Sequence, residues 1–137
     1  MKKLLFPIII MLLAVHAYGQ KAPYNVVFDV TSSDTTVHRM VIRLVNEITK
    51  ADPNANIEVV YYGKSLDMIT QGKSTVADNV MSLAAMPHVN FNVCEVAMKN
   101  NKVDRSQLVH GVGTVPDGIY EIVSKQHDGW GYIKVAK

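Results

Sequence analysis

NVVFDV TSSDTT VHRMVIRLVNEITK ADPNAN IEVVYY, residues 25–62, reads as strand, loop, helix, break and strand. Asn25 to Val30 is a short β-branched and aromatic run, the composition of a buried strand, and the polar loop Thr31 to Thr36 turns the chain. Val37, Val41, Leu44, Val45 and Ile48 then recur at helical spacing, while Arg39, Arg43, Asn46, Glu47 and Lys50 lie mostly off that stripe. The spacing predicts an amphipathic helix with its apolar face on a sheet. Pro53 and the Asn54 to Asn56 region break the helix, and Ile57 to Tyr62 is a second strand ended by Gly63. Two strands around one helix make a βαβ unit.

Downstream the alternation continues. Ser65 to Gln71 reads as a short helix stopped by Gly72, and a longer one starts at Thr75, where Thr75 with Asp78 has capping-box spacing. Val89 to Val93 is a third strand, and a helix over Cys94 to Asn101 starts directly from its end. Asp104 with Gln107 opens another turn, Gly111 to Val115 is a fourth strand, Asp117 caps a helix through His127 that Gly129 ends, and Trp130 to Val135 is a fifth strand. Crossovers of this length favour parallel pairing with right-handed connections. The expected fold is therefore α/β: a flavodoxin-like three-layer sandwich with a mainly parallel sheet of about five strands.

Composition bounds the function. The 137 residues, 48% apolar and 19% charged, fit one globular domain and exclude a disordered or collagen-like chain. Fourteen Lys and Arg against twelve Asp and Glu, with no stretch of five like charges in a row, argue against nucleic acid or an anionic membrane as partner. The single cysteine, Cys94, excludes an internal disulfide, and the absence of zinc-type Cys/His spacing leaves no metal site to expect.

The amino terminus reads as an export address. Lys2 and Lys3 precede the apolar run Leu4 to Val15, about 18 Å long as a helix against a hydrocarbon core of about 30 Å, which is short for a permanent span. Ala17-Tyr18-Gly19 supplies small residues for cleavage after Gly19. The expectation is a cleaved signal peptide, residues 1–19, a single domain from Gln20 to Lys137, and a periplasmic or secreted protein with no membrane attachment after cleavage; the alternative is an uncleaved anchor.

Open parallel sheets bind ligands outside the carboxyl ends of their strands. Residues expected there are Thr31 to Thr36, Gly63 to Ser65, Cys94, and Val115 to Asp117. Cys94 is the only good nucleophile among them. Its place at a helix start, where unpaired N–H groups point outward, favours a thiolate, Glu95 opposes this if it lies close, and the alternative is a small buried hydrophobe. The hydroxyl-rich loop holding Thr31, Ser32, Ser33 and Asp34 either cradles a small anion or caps the following helix. With Gly63, Pro116 and Gly118 it defines an expected pocket at the carboxyl edge. Neither GxGxxG nor a Walker lysine occurs, so no cofactor is expected. His38, His88, His110 and His127 have no motif around them and are expected in surface or capping roles.

Three segments together resemble the DsrE/DsrF-like family of small sulfur-relay proteins: Val89-Asn90-Phe91-Asn92-Val93-Cys94-Glu95-Val96-Ala97-Met98, Val115-Pro116-Asp117-Gly118-Ile119-Tyr120-Glu121-Ile122-Val123, and Gly129-Trp130-Gly131-Tyr132-Ile133-Lys134. The Ile57 to Gly63 strand and the Ser65-Leu66-Asp67 turn fit the same pattern, so the resemblance runs from about Tyr24 to Val135. It implies a YchN-like, flavodoxin-like subunit that assembles into trimers or hexamers. For some members it also implies a cysteine that carries sulfur as a persulfide, and Cys94 matches that position.

Three functions compete at this level. The first is a sulfur handler in which Cys94 takes sulfane sulfur from a donor and passes it to a partner protein or small thiol. The second is a non-catalytic oligomeric module binding a small ligand at the carboxyl edge. The third is a structural protein with an inert thiol.

Overall fold

The computed structural model describes residues 22–136; the expected signal peptide and its cleavage point lie outside the described residues. The chain forms β1 (Asn25–Val30), α1 (Thr35–Ala51), β2 (Asn56–Tyr61), α2 (Ala77–Ala84), β3 (Val89–Cys94), α3 (Glu95–Asn101), β4 (Gly113–Val115), α4 (Gly118–His127) and β5 (Gly131–Val135). Short 3-10 segments occupy Ser65–Ile69 and Arg105–Gln107. All five strands pair in parallel in the order β4-β3-β2-β1-β5, with Val26 opposite both Ile57 and Gly131. The result is a three-layer α/β sandwich of the flavodoxin-like kind.

Strand order decides where a site can form. From β1 to β4 each step moves the same way across the sheet, and right-handed crossovers then put α1, α2 and α3 on one face. The step from β4 to β5 runs back past β1, which puts α4 on the other face. The loops leaving β3 and β4 therefore diverge, and the crevice of a doubly wound sheet lies between them; in the 2-1-3-4-5 order of flavodoxin it lies between β1 and β3 instead.

Side-chain alternation matches this division. Phe28, Val30, Ile57, Val59, Tyr61, Phe91 and Val93 are buried with Val37, Val41 and Val45 of α1 and Val80 and Leu83 of α2. On the other face Val27 and Val60 meet Ile122 of α4, flanked by Tyr62 and Trp130. That face also buries charge: Glu58 pairs with Lys125 of α4 at 2.8 Å and accepts from the Asn92 amide at 2.9 Å. Lys125 lies 4.4 Å from the Trp130 ring centre. Burial pulls its ammonium down, but the hydrogen bond and charge of Glu58, with Glu121, outweigh this and raise it.

Caps set the helix starts. Asp34 accepts from the Thr36 N–H at 2.7 Å, and Asp117 accepts from the Ile119 and Tyr120 N–H groups. The Asp104–Gln107 capping box forms. The Thr75–Asp78 box does not: the Ser74 hydroxyl accepts from the Val76 N–H and α2 starts two residues later, at Ala77. The short helix expected over Ser65 to Gln71 is a 3-10 segment, because Thr70 leaves it to bridge Leu108. The fourth strand begins at Gly113 rather than Gly111, whose φ of +90° belongs to a turn. His38 departs from its expected surface role. It is 2% exposed, on the buried stripe of α1, with Nε2 2.9 Å from the Ser32 carbonyl, where it donates and pins the loop.

Among the described residues no helix is long and apolar enough to cross a membrane.

Candidate functional site

Cys94 ends β3 and is the N-cap residue of α3, with extended backbone (φ −66°, ψ 121°) and no side-chain cap hydrogen bond. It is 5% exposed and lines a cavity of about 220 Å³ with Tyr62, Gly63, Val96, Ala97, Asn100, Asn101, Asp117 and Ile119. The cavity draws on residues after β2, β3 and β4, so it sits at the divergence point of the sheet. Cys94 itself is largely covered, and the cavity that it lines opens to solvent between mostly apolar walls.

Glu95 does not confront the thiol. Its carboxylate accepts from the Thr114 hydroxyl at 2.8 Å and is paired with the Arg105 guanidinium, so its charge is turned toward β4 and balanced there. Asn101 closes the other side of the cavity, its amide donating to the Ala97 carbonyl at 2.8 Å and reaching the Gly63 carbonyl at 3.4 Å.

The pocket expected between the Thr31 to Thr36 loop and Pro116 to Gly118 does not form as one space. These loops follow β1 and β4, with β2 and β3 between them, a separation of about 14 Å at the usual strand spacing. Gly63 faces the cysteine cavity, and Gly118 packs against Cys94. Pro116 is exposed at the bend before α4. Thr31 receives a hydrogen bond from the Lys134 ammonium at 2.9 Å. Ser32 accepts from the Asp34 N–H, and Asp34 caps α1, so this part of the loop works as a cap. Ser33 lines a second cavity, of about 270 Å³, with Lys64, Leu66, Asp67, Lys73, Asn101 and Val103.

Sequence reasoning missed Tyr62 and the cluster that exposed Tyr132 and Lys134 form over the buried Asp29. Asp29, facing α4, accepts from the Tyr132 hydroxyl at 2.7 Å and the Lys134 ammonium at 2.8 Å. Tyr62 lies between this cluster and Cys94, with Lys134 Nζ 5.7 Å from its ring centre. Burial, followed by the charge of Asp29, pushes the Tyr62 phenol up to about 12. The hydrogen bond to Asp29, then burial, takes Tyr132 to about 12 as well. Both remain protonated donors at neutral pH. A carboxylate inside the apolar run that follows Asn25 in NVVFDV was the available signal.

Among the described residues no group of His, Cys, Asp and Glu side chains could hold a metal ion.

With this geometry in place, similarity to known proteins becomes specific. A protein of unknown function from Methanobacterium thermoautotrophicum superposes with a TM-score of 0.76 at 28% identity, over 81% of this chain and 98% of that one. The ychN protein of E. coli follows at 0.69 and 11%, covering 82% and 98% of the two chains. A conserved protein of unknown function from Bacteroides thetaiotaomicron gives 0.68 and 14%, covering 82% and 95%. No family model and no curated protein sequence matches. The α/β sandwich is of the class in which a parallel sheet presents its site at the carboxyl edge. Within that class the chain has the YchN-like, DsrE-type fold that its sequence resembles.

Proposed function

We propose that the protein handles sulfane sulfur through Cys94, as a persulfide carrier with sulfurtransferase-like exchange. The observation that carries this reading is the placement of the only cysteine at the end of β3, facing a cavity at the point where the sheet connections diverge. Cys94 thiolate attacks the outer sulfur of a donor, a new S–S bond forms, and the donor bond breaks with its electron pair leaving on the donor fragment. An acceptor thiolate then attacks the terminal sulfur and Cys94 leaves as thiolate, so no outside oxidant is needed. With a single cysteine in the chain, a partner protein or small thiol completes the exchange.

Two further parts of the reading have separate support. Ile119, Tyr120 and Val123 expose an apolar strip on α4, 60%, 72% and 57% open, which fits burial between copies in a trimer or hexamer. The basic and apolar leader, Lys2 to Val15, fits export to the periplasm or beyond, with cleavage after Gly19. A non-catalytic binding module is the second reading. It is favoured by the cation-lined cavity of Lys64 and Lys73, whose use does not require a reactive thiol.

The test is intact mass after incubation with polysulfide. Gain of one sulfur, absent in Cys94→Ser and removed by a small thiol, is the expected result. A wild-type protein that gains no sulfur contradicts the proposal.

A further inference from the structure

We propose that the cavity beside the cysteine site seats the anionic group of the small molecule that delivers sulfur. The two spaces are neighbours that share one lining residue, Asn101. The Gly63 carbonyl that its amide reaches belongs to the wall of the cysteine cavity, while the next residue, Lys64, faces the second one.

Charge in the second cavity favours an anion. Lys64 and Lys73 line it against one carboxylate, Asp67, which is paired with Lys73 at 3.4 Å. Both partners of that pair are more than half exposed, so their attraction is weak and yields to a better ligand. Among the described residues no carboxylate lies within ion-pairing distance of Lys64, and the backbone holds Lys64 in place. Its N–H donates to the Thr31 carbonyl at 3.1 Å, and Gly63 takes φ +64° to make the turn that leads into it. Ser33 adds a hydroxyl from the loop after β1. About 270 Å³ is the space of a small molecule, not of a folded partner.

Anion on one side and thiol on the other define the ligand chemistry: a sulfane-sulfur donor that carries an anionic group. An inorganic thiosulfonate and a carboxylate-bearing organic persulfide both satisfy it. With thiosulfate, Cys94 thiolate attacks the outer sulfur, the S–S bond of thiosulfate breaks, and sulfite departs with the electron pair. The identity of the donor depends on the sulfur reading of Cys94; the anion site itself does not.

Binding to Cys94→Ser protein separates the two. Calorimetric titration uses thiosulfate in one arm and glutathione, a stable stand-in for its persulfide, in the other. Lys64→Ala combined with Lys73→Ala is expected to weaken the preferred anion about tenfold or more, as loss of two cationic contacts implies, while Lys50→Ala at the far end of α1 changes nothing. The arm that binds identifies the source of the anion. If lysine-dependent binding appears but wild-type Cys94 takes no sulfur, the anion site stands and the sulfur reading falls. Equal binding with and without the two lysines, or no binding in either arm, overturns the proposal.

Discussion

Gly118 presents a bare α-carbon to Cys94: a β-carbon added there would lie 3.0 Å from Cys94 Cβ and 3.1 Å from Val60 Cγ1. The first turn of α4 thus packs tightly on Cys94 Cβ and Val60, while the sulfur itself would stay at an ordinary contact distance of 3.7 Å, so a larger residue crowds the cysteine through its β-carbon. Gly118→Ala should cost about 1–3 kcal/mol by overpacking and change the alkylation rate of Cys94 in the folded protein. Urea denaturation with a native alkylation time course checks both; unchanged stability and rate would show that the contact does not position the thiol.

Tyr61, its ring stacked on Phe91 at 6.3 Å between centres, carries a fully buried hydroxyl with no hydrogen-bond partner among the described residues. Burial pushes its phenol well above the ordinary range. Removing an unsatisfied polar atom while keeping the ring should help, so Tyr61→Phe is expected to stabilise the fold by about 1 kcal/mol. A loss of stability on the same denaturation assay would show that the hydroxyl has a partner.

Glu58, 3% exposed at its side chain, depends on Lys125 for compensation. Lys125→Met should cost about 3 kcal/mol by leaving the carboxylate buried beside the Asn92 amide alone. Adding Glu58→Gln should recover most of that loss, and a double-mutant cycle measures the coupling. Additive losses would mean that the pair contributes nothing.

Alkaline titration reads the Asp29 cluster. A phenol raised from 10.0 to about 12 in the folded state contributes stability that is fully present below pH 10 and is lost as pH climbs through 12. The phenolate absorbance of Tyr62 and Tyr132 should therefore appear near pH 12, with stability falling over the same window. In Asp29→Asn the Tyr132 midpoint should move back toward 10.0, since its largest cause is the hydrogen bond to Asp29. An unmoved midpoint would contradict the cluster.

The proposed assembly surface is tested by Tyr120→Glu, which changes one exposed side chain on α4. Light scattering should show smaller particles with unchanged circular dichroism. A wild-type protein that runs as a monomer would remove the assembly reading.

Much of the fold was legible because it depends on periodicity. The stripe of α1, the first three strands and the Asp104 and Asp117 caps are local signals and appear close to where the sequence places them, whereas the fourth strand starts two residues late and the loop before α1, open between anion cradle and cap, caps through Asp34. The position of Cys94 at a strand end was legible for the same reason. What was hidden is lateral. Nothing local says that β5 pairs with β1, so the Asp29–Lys134 contact across 105 residues and the separation of the Thr31 loop from Gly118 could not be read. His38 was missed because a helical stripe accommodates one buried polar residue when a loop carbonyl, here that of Ser32, satisfies it.

On the proposed reading Cys94 is a working nucleophile in a formed cavity and not core filling. The most direct measurement is its alkylation by a small uncharged reagent in the folded protein, compared with the rate of global unfolding under the same conditions. Alkylation that outruns unfolding and is slowed by prior loading with sulfur is the predicted result. Alkylation only as fast as the protein unfolds would contradict the account and leave Cys94 as packing.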